Sequence, residues 1–142
     1  MSSPELGPRS SSLGHRFPRA VAIIGGLSFV GLGLWAMFDP RSFFDALAMF
    51  EPYNQHFLQD IGAFQIGLGV VLLLAGTIRR SDGLMVALIG VGVGATCHVV
   101  SHIVGRDLGG TPETDIPIFA VMAILLLAAG MVRWRHERGE AR

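Results

Sequence analysis

Four stretches of this chain carry no charged side chain: residues 20–38, 61–78, 83–105 and 116–132, of 19, 18, 23 and 17 residues. A helix needs roughly 20 predominantly apolar residues to cross a hydrocarbon core about 30 Å thick. Lipid offers no partners for backbone N–H and C=O groups, so only helices and closed barrels span it. Barrel strands alternate in character over about ten residues, and the run Val70, Val71, Leu72, Leu73, Leu74 does not. The expectation is therefore an all-α integral membrane protein. It would be an antiparallel four-helix bundle with spans over residues 18–38, 55–78, 83–105 and 115–134. Only 15% of the 142 residues are charged, against about 25% in a soluble domain, too little polar material to cover a water-facing surface.

Orientation follows from the arginines, the only strongly basic residues. Arg9, Arg16 and Arg19 precede the first span, Arg79 and Arg80 lie between the second and third, and Arg133, Arg135, Arg138 and Arg142 follow the fourth. Only Arg41 and Arg106 fall on the other side. The positive-inside rule then puts both termini in the cytoplasm, in a cell inner membrane. The first span lacks a small-residue cleavage site after Phe38 and reads as uncleaved. Residues 1–16 and 136–142 read as cytoplasmic tails, the first disordered, flanking one membrane domain over 17–135. Trp35, Tyr53 and Trp134 sit at span ends, where aromatic rings anchor the interface.

The first outer loop has a helix signature. Asp39 supplies an N-cap and Pro40 a first helical residue, and Phe43, Phe44, Leu47 and Phe50 recur at helical spacing before Pro52. A short interfacial helix is expected there. The second outer loop is rich in turn formers, with Asp115 expected to cap the fourth span and Pro117 in its first turn.

Polar groups inside spans are costly and therefore informative. Gly90, Gly94, His98 and His102 recur every four residues, so they share one stripe of the third span. Glycine permits close helix approach, and the two histidines would continue that seam. In the second span His56 and Asp60 are also four apart. A short turn at residues 80–83 makes these two spans neighbours, so His56, Asp60, His98 and His102 can converge near the outer face. Such convergence admits a metal or haem site, with two histidines chelating from one helix face. It equally admits a proton-accepting site for a quinone, or hydrogen-bonded pairs that hold helices together. A transport pathway lacks polar residues through the inner half. Gly62, Gln65, Gly69 and Gly76 mark a second face of the same span, for burial or for a homo-oligomer seam. Cys97 is the lone cysteine, so no intramolecular disulfide is possible, and the zero net charge excludes a strongly cationic nucleic-acid binder.

No nucleotide-loop, serine-hydrolase or covalent-haem motif is present. From Asp60-Ile-Gly-Ala-Phe-Gln-Ile-Gly through Arg79-Arg80 to His98, with the Asp39-Pro40 loop before it, the chain resembles the DoxX-like group of small four-helix bacterial membrane proteins. The resemblance implies a four-span bundle. It also implies a link to redox processes such as thiosulfate oxidation with quinone or membrane-bound oxidative-stress complexes, but no transferable catalytic set. Taken together, the residues point to a small multi-pass protein in a lipid bilayer. It would act as an accessory or structural subunit beside a membrane-protein partner or a second copy, and not as an enzyme on its own. The alternatives are a redox-linked subunit using the four polar residues above and a small transporter.

Overall fold

The computed structural model describes residues 12–78 and 83–140. Five helices follow in order: α1 Ser12–Phe38, α2 Pro40–Leu47, α3 Gln55–Thr77, α4 Gly83–Val104 and α5 Pro112–Glu140. The four long ones carry segments long and apolar enough to cross a membrane, Gly14–Phe38, Gln55–Thr77, Gly83–Val104 and Pro112–Gly139, with mean hydropathy between 1.8 and 2.3. The shortest, 22 residues, reaches about 33 Å, enough for the hydrocarbon core. The expected turn at 80–83 falls mostly outside the described residues, as do Arg79, Arg80 and most of the expected disordered tail; its residues 12–16 are helical.

The bundle is built from two close pairs. In the first, α1 and α3 approach backbone to backbone: a β-carbon on Gly69 would lie 2.7 Å from the Gly26 carbonyl oxygen, and one on Gly26 would lie 2.9 Å from that of Gly69. Gly33 and Gly62 repeat the crossing two turns away, and Gly76 abuts Ala22 and Ile23. In the second pair, α4 meets α5 where Gly92 faces Leu127 and Gly130 faces Ile89. Between the pairs lies a core of Ala22, Leu72, Leu84, Leu88, Leu126 and Ala129.

Two expectations change here. Although α3 and α4 are consecutive, they part into an open apolar groove lined by residues including Leu68, Val71, Ile78, Val86 and Gly90. The stripe Gly90 and Gly94 accordingly faces open space within the chain. The packed seam of α4 is the opposite face, through Leu88, Gly92 and Ala95, because Gly92 is the glycine that meets α5.

At the end carrying both loops, the Asp39 carboxylate accepts from Ser42 N at 3.3 Å and Pro40 opens α2. Phe43 and Phe44 are buried beside Ala36 and Leu58, so this face of α2 packs into protein instead of lipid. Leu47 stays exposed and Phe50 lies beyond the helix. Helix α5 starts three residues before the expected cap. Asp115 therefore stands in its first turn and reaches back, accepting from Thr111 N at 3.1 Å and Thr111 Oγ1 at 3.0 Å.

Candidate functional site

The loop end of the α4–α5 pair gathers the polar residues. His98 and His102 lie one turn apart on α4, with ring centroids 4.7 Å apart. Phe119 of α5 fits against both, at 4.6 Å from His98 and 4.9 Å from His102. His102 Nδ1 lies 4.0 Å from Asp115 Oδ2, with only 12% and 14% of the two side chains exposed.

The first loop closes over this group. Phe50 meets the His102 ring edge to face at 5.8 Å, and Gly110 N donates to Met49 O at 3.1 Å. That approach needs glycine twice. Gly109 and Gly110 take φ of +134° and +74°, and a β-carbon on Gly110 would lie 2.8 Å from the Phe50 ring. His98 remains exposed, its carbonyl accepting from Ser101 Oγ. The arrangement ties α4, α5 and the two loops together through the His102–Asp115 contact and the Phe50 ring.

The other two expected members do not join it. His56 and Asp60 pair with each other at 3.5 Å on α3, with side chains 87% and 56% exposed; they lie on the side of α3 that carries the groove residues Val71, Leu74 and Ile78, where α3 and α4 have parted. Among the described residues no group of three or more His, Cys, Asp or Glu side chains is positioned to hold a metal ion. Trp35 donates to Ser42 Oγ at 3.2 Å, Tyr53 packs edge-on to Phe44, and Trp134 lies exposed at the opposite end. Gln65 buries its Oε1 without a hydrogen-bond partner.

A second polar cluster, at the opposite end, joins the start of α1 to the end of α5 and was not singled out from the sequence. Arg133 Nη1 lies 3.2 Å from His15 Nδ1. Arginine can only donate, so His15 accepts at Nδ1. The His15 and His136 rings meet at a tilt of 58° with centroids 4.1 Å apart, where a β-carbon on Gly14 would overlap the His136 ring. Arg133 Nε also lies 2.8 Å from Glu137 Oε1, and Arg19 donates to the Gly76 carbonyl at the end of α3. The four-residue step from Arg133 to Glu137 was the available signal; the partner His15 is 118 positions away in sequence. The chain matches no protein-family model, no curated protein and no solved structure.

Proposed function

We infer that this small multi-pass membrane protein is an accessory or structural subunit of an inner-membrane complex, with both termini cytoplasmic. One observation carries the reading: the half-buried polar pair of the loop end is taken up in a joint between α4 and α5, while a glycine-bearing face is left open. His102 and Asp115 pair beneath Phe50, and His56 and Asp60 pair apart from them. Gly90 and Gly94 face open space, where a neighbouring transmembrane helix would approach closely. The arginines of α1 and α5 share one end of the bundle, which supports the cytoplasmic orientation through the positive-inside rule. A DoxX-like relationship fits the same reading.

The redox-linked alternative keeps one supporting observation, the exposed His98 ring beside Phe119. The two readings separate in one preparation. Mildly solubilised membranes should show the wild type in an assembly larger than the monomer, released to monomer by the folded Gly90→Leu, Gly94→Leu variant. The purified wild type should show no Soret band and no stoichiometric metal or quinone. A monomeric wild type sinks the accessory reading. A cofactor lost in the folded His98→Ala, His102→Ala variant would establish the alternative.

A further inference from the structure

The C-terminal part of α5 has two faces of different chemistry. Facing inward, Arg133 is held by Glu137 and by His15. Facing outward, Met131, Trp134, Arg135 and Arg138 are all exposed. At 100° per residue these four fall within about a 100° sector. Exposed Ile124 and Ala128 continue the same stripe toward the middle of the helix. Along this stripe the side chains change from aliphatic to indole to guanidinium. The step from Met131 to Arg138 is about 10 Å, enough to cross one headgroup layer of about 5–8 Å.

The outward arginines differ from Arg133 in their partners. Arg138 lies over the Trp134 ring, 5.2 Å from its centroid. Among the described residues, neither Arg135 nor Arg138 forms an ion pair. Glu137 is turned to the other face and neutralised by Arg133. The C-terminus of a helix carries about half a negative charge, which opposes an anion, but two full positive charges on one face outweigh it.

We propose that the Trp134, Arg135 and Arg138 face of α5 binds the headgroup of an anionic phospholipid. The two guanidinium groups take the phosphate and its anionic neighbours. The indole lies at the level of the glycerol esters, and Met131 and Ile124 lie along the acyl chain. Arg138 is held over the indole before any lipid arrives, which limits the ordering required on binding. The inference needs only the four spans. It stands or falls separately from the accessory role and from which side of the membrane this end occupies.

The full chain contains two tryptophans, so Trp35→Phe leaves Trp134 as the sole indole. That variant is reconstituted in vesicles of phosphatidylcholine with phosphatidylglycerol. In parallel samples one lipid or the other is brominated near the ester end of its acyl chains. Brominated phosphatidylglycerol should quench Trp134 more strongly than brominated phosphatidylcholine at equal mole fraction. The preference should be about fivefold for each arginine at low salt. Arg135→Gln with Arg138→Gln should bring the two lipids to parity, whereas lysine at both positions should retain most of the preference. Equal quenching in the parent, or a preference that survives the glutamine variant, overturns the proposal. Displacement of the effect by millimolar inorganic phosphate would reassign the face to a soluble anion and also overturn it. Should Trp35→Phe not fold, thermal stabilisation of the wild type in micelles by added phosphatidylglycerol, absent from the glutamine variant, reads the same contact.

Discussion

The carbonyl oxygen of Gly33 lies 2.6 Å from where a β-carbon on Gly62 would sit, and the Gly62 carbonyl lies 2.7 Å from where one on Gly33 would sit. Two helices this close leave no room for a methyl group, and backbone cannot move aside as a side-chain tip can. Gly62→Ala and Gly69→Ala should each destabilise the protein by about 1–3 kcal/mol, read as detergent-phase unfolding by heat or SDS. Gly90→Ala and Gly94→Ala should stay within about 0.5 kcal/mol of wild type, since their β-carbons meet nothing in the chain. Equal losses at all four positions would show that glycine content, and not the α1–α3 crossing, governs stability.

The two loops are joined through Phe50 and Gly110. Phe50→Ala removes the ring that packs on His102, and Gly110→Val forces a branched residue into φ +74° against the same ring. Both should loosen the loop end, speeding amide hydrogen exchange in residues 105–111 at least tenfold. Exchange in the middle of α1 and α3 should be unchanged. Uniform acceleration throughout the bundle would mean that the loops are not a separate unit.

The sequence is informative about this fold to different depths at different places. Span positions follow from uninterrupted apolar length, which the bilayer sets directly. The Gly62, Gly69 and Gly76 face is visible as a seven-residue recurrence, but its partners Gly26 and Gly33 are not. A glycine in an apolar helix does not show which way a neighbour lies. The choice between Gly92 and the Gly90 and Gly94 stripe is hidden for a related reason: lipid tails are as apolar as leucine, so periodicity cannot separate a lipid-facing side from a packed one. Local pairs such as His56 with Asp60 are legible at four-residue spacing, whereas His15 with His136 depends on how distant helix ends meet.

Gln65 gives a prediction of opposite sign. Its Oε1 is buried without a partner, and leaving a polar group unsatisfied costs about 1–3 kcal/mol. Gln65→Met, close in shape, should therefore raise the unfolding midpoint of the purified protein, with a gain of about 1 kcal/mol. A loss would mean that the amide is engaged by something that accompanies the protein in the membrane, and the same comparison in native membranes would then reveal it.

Arg133 and Glu137 make the joint between α1 and α5 a test of charge pairing at low exposure. With 14% and 27% of the side chains accessible, each ion loses much of its hydration and depends on the other. Arg133→Met leaves a half-buried carboxylate and also withdraws the donor from His15. Glu137→Met leaves a half-buried guanidinium. Each single change should cost about 2 kcal/mol, between the values for exposed and fully buried pairs. The double variant carries no stranded charge, so its loss should fall short of the sum of the singles by about 1–2 kcal/mol. Unfolding the four proteins of this cycle in one detergent measures that difference. Strict additivity would mean that the two ions act independently and that His15 and His136, packed together beside Gly14, hold the helix ends without them.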